Sequence, residues 1–169
     1  MNRVLSRWNL LSADEAAKEI LPCCGSRAWA NGMAASRLVE DVATLLATSD
    51  RIWRDLTAAD WLDAFQSHPR IGETRGPIES SARSQHWSAQ EQSYATESDS
   101  LKQALADGNR EYEQRFRRIF IICATGKSAD EILANLKHRL NNDDATELRE
   151  AAEQQRQIAQ IRLRKWLAE

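Results

Sequence analysis

The residues best suited to proton chemistry lie in a short segment, residues 66–73, that contains His68, Pro69 and Gly72. Histidine can exchange protons near neutral pH because its ordinary pKa is about 6.5. Pro69 disfavours helical backbone at His68, so the preceding helix should end near His68 and leave the imidazole on extended backbone. Gly72 allows a sharp turn directly afterwards. The pattern indicates a general acid or base, although a turn whose histidine binds a carbonyl would have the same sequence.

Arg162 is a second candidate because it falls within an apolar stripe of the last predicted helix. At about 100° per residue, that stripe also contains Leu148, Ala152, Ala159 and Trp166. An arginine in such a stripe has to reach out to solvent, pair with a buried acid or bind an anionic ligand. Its planar guanidinium matches a carboxylate with two parallel hydrogen bonds. The spacing therefore leaves both a structural ion pair and a ligand contact open.

Ser88 and Glu91 have the spacing of a capping box, which predicts that a helix begins at Ser88. The first turn of a helix presents free N–H groups that can bind an anionic or carbonyl ligand. Glu91 could then accept hydrogen bonds from ligand N–H groups while backbone amides nearby meet oxygen atoms. Helix capping without any ligand explains the spacing equally well.

Metal, phosphate, nucleic-acid and membrane chemistry are not indicated. No two histidines have the spacing that places a pair of metal ligands on one helical face, and no glycine-rich phosphate loop occurs. The formal net charge of −2 provides no basic field for nucleic acid. No apolar run approaches the roughly 20 residues that cross a bilayer. The first residues lack the apolar core of a secretory signal, and we expect a cytoplasmic protein without a metal or an organic cofactor.

The three cysteines, Cys23, Cys24 and Cys123, form no C-x-x-C pair. An odd count without that motif argues against a disulfide framework and against a structural zinc site. Cys123 lies in an apolar run and is expected to be a buried thiol. The sequence leaves open whether the adjacent Cys23 and Cys24 are redox-active.

Every strong periodic signal has helical spacing, and no alternating strand pattern occurs. Capping boxes predict helices that open at Ser12 and Ser128, and a Thr57–Asp60 pair predicts the helix before His68. The remaining predicted helices cover residues 26–32, 36–47, 109–124 and 144–167. Residues 74–83 contain a Gly-Pro turn signal and are predicted to form a mobile loop beside the site. The sequence predicts one all-α domain over residues 1–169, an irregular helical bundle with orthogonal packing.

Several motifs, taken in chain order, resemble those of the OHCU decarboxylases, enzymes of the urate-to-allantoin pathway. They are residues 66–73, Trp87–Gln92, Leu105–Asn109, Tyr112–Phe116, Phe120–Gly126 and Ile161–Leu163. The resemblance covers nearly the whole chain. It departs from the family at Arg117 and Arg118, which follow Phe116 where the family usually has a glycine and an apolar residue. Because glycine permits close approach of another backbone, we expect this face to be more open or solvent-exposed here.

The resemblance implies a homodimeric carboxy-lyase that converts 2-oxo-4-hydroxy-4-carboxy-5-ureidoimidazoline (OHCU) to (S)-allantoin. It implies that His68 is the general acid or base, that Glu91 binds ring or ureido N–H groups, and that Arg162 binds an anionic or carbonyl oxygen. The other substrate-binding residues that it implies are Pro69, Ser88, Gln92, Ile119, Phe120, Ile121, Ile122 and Cys123. Two alternatives stay open, a helical interaction module without catalysis and an enzyme of this fold that acts on a related ureide.

Overall fold

The computed structural model describes residues 2–73, 81–92 and 98–169. The helices in these ranges are α1 (Arg3–Asn9), α2 (Ala13–Ile20), α3 (Arg27–Ala35), α4 (Val42–Asp55), α5 (Ala58–Phe65), α6 (Ala82–Glu91), α7 (Asp99–Phe116), α8 (Ala129–Arg139) and α9 (Asp144–Leu167), with a 3-10 turn at Leu21–Cys23. The described ranges contain no strand, and the all-α prediction is confirmed. No helix within them combines the length and the apolar character needed to cross a membrane.

The chain divides into two compact units. The first comprises Met1–Ala64 and Arg156–Glu169, and the second comprises Phe65–Gln155. The residues of α9 are thus shared between the two units. A single domain over residues 1–169 stays a prediction.

The first unit is built around large buried side chains. Trp8 and Trp166 meet edge to face, with their ring centroids 5.8 Å apart, and the Trp166 indole donates to the Glu19 carboxylate at 3.1 Å. Both rings are fully buried. Burial of such aromatic area is a major source of stability, and the indole N–H needs a partner once it is buried. This packing holds the C-terminal part of α9 within the first unit.

The helix predicted over residues 36–47 begins later, at Val42, so that prediction was wrong at its start. Asp41 caps α4 by accepting from the Thr44 backbone amide at 2.7 Å. The Asn9 side chain instead binds both backbone groups of Val39, its N–H at 3.1 Å and its carbonyl at 2.8 Å. Because those groups are engaged by a side chain, they are not available for a helical ladder.

The predicted helix starts are confirmed where the prediction was based on a pair of reciprocal capping hydrogen bonds. Ser12 and Ser128 each form a complete capping box. Thr57 and Asp60 also exchange bonds, with the Thr57 N–H donating to Asp60 at 3.0 Å and the Asp60 N–H to the Thr57 hydroxyl at 3.3 Å. The helix that they open ends at Phe65, three residues earlier than predicted.

The second unit corrects the predicted helix over residues 109–124. α7 begins at Asp99 and ends at Phe116, where Arg117 adopts left-handed backbone with φ 58° and ψ 26°. Residues 117–124 are not helical, although Phe120, Ile121 and Ile122 are buried. An apolar run therefore predicted burial correctly but not backbone conformation.

The helix predicted to begin at Ser88 begins at Ala82. Its cap is Ser81, whose hydroxyl accepts from the Ser84 backbone amide at 3.1 Å. Ser88 and Glu91 therefore lie in the last turn of α6, and the Ser-x-x-Glu spacing reflects neighbours on a helix surface. Of the predicted mobile loop, residues 74–80 lie outside the described residues, while Ala82 and Arg83 are helical.

Candidate active site

His68 is a buried histidine with a fixed ring. It lies just after α5, where its backbone N–H still bonds to the Phe65 carbonyl at 3.2 Å, and it is followed by Pro69. Only 7% of His68 is exposed. Its Nε2 atom lies 2.6 Å from the amide oxygen of the fully buried Gln155. Because an amide oxygen only accepts, Nε2 carries the hydrogen in this contact.

The residues after Pro69 are anchored by side chains of the second unit. Arg70 binds Glu113 through two nitrogens, at 2.5 and 3.1 Å, and this carboxylate raises the pKa of Arg70. The Ile71 carbonyl accepts from Asn109 at 3.0 Å. Gly72 has φ +88°, a conformation that suits glycine, and its N–H donates to the Gln92 side chain at 3.0 Å. These bonds fix the backbone on the C-terminal side of His68 and Pro69.

Ser88, Glu91 and Gln92 lie at the C-terminal end of α6. Ser88 and Glu91 are buried, at 4% and 8% exposure, and Gln92 supplies the oxygen that holds Gly72. The expectation that free helical N–H groups beside Glu91 bind a ligand is wrong, since the end of a helix presents carbonyls. An ionised carboxylate accepts hydrogen bonds, so Glu91 has the chemistry to bind N–H groups.

The segment from Ile119 to Cys123 is pinned at three backbone atoms. The Ile121 carbonyl accepts from Arg139 at 2.7 Å. The Cys123 N–H donates to Gln154 at 2.9 Å, and the Cys123 carbonyl accepts from Lys127 at 2.7 Å. This segment is thus held in an irregular conformation by side chains from later in the sequence.

Three buried residues of that segment have backbone N–H groups that bond to no other described residue. They are Phe120, Ile121 and Ile122, which are 2%, 2% and 4% exposed. Buried backbone donors are nearly always hydrogen-bonded. Donors of this kind suit a ligand oxygen.

A buried ion pair, Arg139–Glu147, supports this segment and was missed by the sequence reasoning. The two side chains are 3% and 0% exposed and meet at 2.5 Å. Glu147 also accepts from the Tyr112 hydroxyl at 2.5 Å and from Asn142 at 3.0 Å. Burial and the neighbouring carboxylate raise the pKa of Tyr112. Arg139 follows Ile132 and Leu136 at helical spacing, the same inward-stripe signal that selected Arg162.

Arg162 lies in the first unit and is fully buried. The prediction that it points inward is confirmed, and the alternative in which it reaches solvent is wrong. One of its terminal nitrogens donates to the Pro22 carbonyl at 3.3 Å. Burial raises the pKa of the nearby Cys24 thiol to about 12, although the Arg162 charge acts in the opposite direction. A thiol held protonated in this way is a poor nucleophile at neutral pH, which argues against a redox role.

Clusters of three or more His, Cys, Asp or Glu side chains able to hold a metal ion do not occur among residues 2–73, 81–92 and 98–169. No disulfide joins Cys23, Cys24 or Cys123, and all three are buried. Within the second unit, His68 bonds to Gln155, Gln92 to Gly72 and Cys123 to Gln154, while Arg162 belongs to the first unit.

Comparisons with known proteins identify relatives along most of the chain. The uric acid degradation bifunctional protein TTL of Arabidopsis thaliana is 38% identical over 144 residues, which cover 85% of this chain and 44% of that protein. The 2-oxo-4-hydroxy-4-carboxy-5-ureidoimidazoline decarboxylase of Haloferax volcanii is 27% identical over 128 residues, 76% of this chain and 74% of that protein. This chain thus spans less than half of the Arabidopsis relative.

A solved structure and a family model agree with these relatives. A crystal structure of OHCU decarboxylase in the presence of (S)-allantoin superposes with a TM-score of 0.77 at 35% identity, covering 89% of this chain and 98% of that one. The family model for OHCU decarboxylase matches residues 9–164. With nearly its whole length matched, the chain belongs to the OHCU decarboxylase family.

Proposed function

We propose that this chain decarboxylates OHCU to (S)-allantoin without a cofactor. Family membership supports the reaction class. The observation that carries the proposal is His68, a buried histidine whose ring is fixed by Gln155 at 2.6 Å. Such an imidazole can deliver or accept a proton in one defined direction, which is what a stereospecific protonation requires.

The substrate contains its own electron sink. Its carboxylate is attached to a ring carbon beside a C=N bond, so the imine can take up the electron pair of the breaking C–C bond as CO₂ leaves. No pyridoxal or metal is then needed to stabilise a carbanion. The resulting enol-like species becomes a ketone and takes a proton on one ring face. Overall one proton is consumed and one CO₂ is released, and the acid that supplies the proton decides the configuration.

We assign that acid–base role to His68. Glu91 would accept hydrogen bonds from ring or ureido N–H groups, because it is buried and an ionised carboxylate is an acceptor only. Arg162 would bind a carboxylate or carbonyl oxygen through its planar guanidinium. His68, Glu91 and Arg162 are all buried although each has a titratable or charged side chain, and this is consistent with the three roles.

The remaining predicted binding residues would complete the contacts to substrate. Pro69 fixes the backbone after His68, and Ser88 and Gln92 lie beside Glu91 on α6. In the segment 119–123, the backbone N–H groups of Ile121 and Ile122 would donate to substrate oxygens. Phe120 and Cys123 would supply buried apolar surface, and Ile119 lies at the partly exposed start of the segment.

We further propose a single-domain enzyme that acts as a homodimer in the cytoplasm. The family resemblance supports the dimer. Three cysteines that form no disulfide suit a reducing compartment, where disulfides are rare. A helical interaction module without catalysis accounts less well for His68, Glu91 and Arg162, because an interaction surface is built from exposed side chains and these three are buried.

The function is tested by adding freshly generated OHCU to the protein and following allantoin formation by circular dichroism. The wild-type protein should form (S)-allantoin stereospecifically, whereas His68→Asn should fold and fall to near the spontaneous rate. Far-ultraviolet spectra and a thermal melt of His68→Asn provide the folding control. Retention of most activity by a folded His68→Asn protein would rule out the acid–base assignment, and a wild-type protein without stereospecific product would rule out the function.

A further inference from the structure

The contact between His68 and Gln155 defines which ring nitrogen carries the hydrogen in the neutral imidazole. We propose that Gln155 is a positioning residue that holds His68 as the Nε2–H tautomer, so that His68 exchanges the substrate proton through Nδ1. The part about the substrate proton rests on the proposed function. The tautomer itself does not, and it can be measured without any substrate.

The geometry supports this assignment directly. The Nε2–Oε1 distance of 2.6 Å is that of a strong hydrogen bond. Gln155 is fully buried and His68 nearly so, which makes an unpaired donor or acceptor costly and keeps both side chains in place. Gln155 lies in the long helix α9, whose backbone is a rigid support for the amide.

The chemistry of imidazole then determines the role of the other nitrogen. In the neutral ring with Nε2 protonated, Nδ1 carries the lone pair and is the base. When the ring is protonated, Nε2–H still donates to Gln155, and Nδ1–H is the proton that can be transferred. Delivery of this proton to the ring carbon returns His68 to the neutral Nε2–H form, and solvent resupplies the proton that decarboxylation consumes.

An amide is a suitable partner for this task because it orients the ring without adding a charge. Gln155→Met keeps the length of the side chain but removes the acceptor. Gln155→Glu keeps an acceptor at the same place. The two variants are therefore a matched pair that separates the hydrogen bond from simple packing.

Nitrogen-15 NMR of the histidine rings provides the first readout. The chain has three histidines, and His86 and His138 are exposed, so both should show ring protons that exchange rapidly with solvent. His68 should show a single Nε2–H tautomer with a slowly exchanging ring proton, assigned by its absence in His68→Asn. Gln155→Met should lose that protected proton and Gln155→Glu should keep it.

Turnover of OHCU provides the second readout. Gln155→Met should lower kcat by about tenfold or more with a smaller change in KM, because a ring in mixed orientation presents the wrong nitrogen for part of the time. Gln155→Glu should retain more activity than Gln155→Met.

The outcomes distinguish the two proposals. An Nδ1–H tautomer in the wild-type protein, or a protected Nε2–H that survives in Gln155→Met, would overturn the positioning role even if neither variant were active. Wild-type kcat in a folded Gln155→Met protein would also overturn it and leave the decarboxylase function intact. Absence of allantoin formation by the wild-type protein would overturn the proposed function and the transfer through Nδ1, whatever the tautomer.

Discussion

Arg117 occupies a backbone conformation that suits glycine, and replacing it should stabilise the protein. Its φ of 58° and ψ of 26° end α7, with its N–H bonded to the Glu113 carbonyl at 2.9 Å. A side chain in left-handed backbone costs about 1–2 kcal/mol because Cβ approaches the following carbonyl. Arg117 is exposed, so its side chain has little packing to lose.

The expected gain for Arg117→Gly is smaller than the full steric cost. Glycine makes the unfolded chain more flexible, which opposes the gain by about 0.4–1 kcal/mol. The net increase in the free energy of unfolding should therefore be about 0.5–1 kcal/mol, or a rise of about 1–4 °C in Tm for a chain of this size.

Urea unfolding and thermal melts of three proteins test this reasoning. Arg117→Ala is the matched control, since it removes the arginine side chain but keeps Cβ in the left-handed conformation, and it should be no more stable than wild type. Equal stability of the Gly and Ala variants, or a loss of stability in Arg117→Gly, would contradict the account of the helix end. Activity should not change in either variant.

Three further predictions concern the buried polar groups of Arg162 and Tyr112. Arg162→Lys should lose on the order of tenfold or more in kcat/KM, about 1.4 kcal/mol, because an ammonium keeps the charge but not the paired planar donors. A thermal melt of Arg162→Met distinguishes a ligand contact from a structural role. Destabilisation by several kcal/mol would show that Arg162 is a structural ion-pair residue and not a ligand contact. Tyr112→Phe should lower the free energy of unfolding by about 1–3 kcal/mol by removing a donor from Glu147. Folding raises the pKa of Tyr112 above its ordinary 10.0, so the free energy of unfolding of the wild-type protein should fall as pH rises beyond about 10. Urea unfolding at several pH values measures this fall. The part that is due to Tyr112 should be missing in Tyr112→Phe.

Helix starts could be predicted where the signal is local and reciprocal. Ser12–Glu15 and Ser128–Glu131 each form their two bonds within four residues, so no distant part of the chain is needed. The inward direction of Arg162 could also be predicted, because helical period alone places it among apolar neighbours. Both kinds of signal depend only on residues within one helix.

The same local spacing was misleading at Ser88 and Glu91. Residues three apart are neighbours anywhere along a helix, so the spacing cannot distinguish a first turn from a last one. Ser81 caps α6 with only its own hydroxyl, and it lacks the acidic partner that made the other starts recognisable. The role that we expected for the family's glycine at the position of Arg117 was also misjudged. Glycine at this position suits the end of a helix, and not the close backbone approach that we expected.

Contacts between distant residues could not be predicted at all. The pinned segment depends on Arg139, 18 positions from Ile121, and His68 meets Gln155 across 87 positions. Hydrophobic pattern indicates which residues are buried, but a polar partner inside the core is fixed only when the helices that carry the two side chains pack together. For this reason the candidate catalytic histidine was recognised and the residue that orients it was not.

The Arg139–Glu147 and His68–Gln155 contacts of the second unit differ in a way that bears on function. Arg139 and Glu147 carry opposite charges, and Glu147 receives additional bonds from Tyr112 and Asn142. Losing either charge would leave the other uncompensated, so such a pair maintains structure and resists any change of protonation. The contact of His68 with Gln155 fixes the orientation of the imidazole ring but adds no charge. It is compatible with both the neutral and the protonated ring. A residue that takes up and releases a proton in each turnover can do so in this arrangement, which is why the amide contact supports His68 as the acid–base residue.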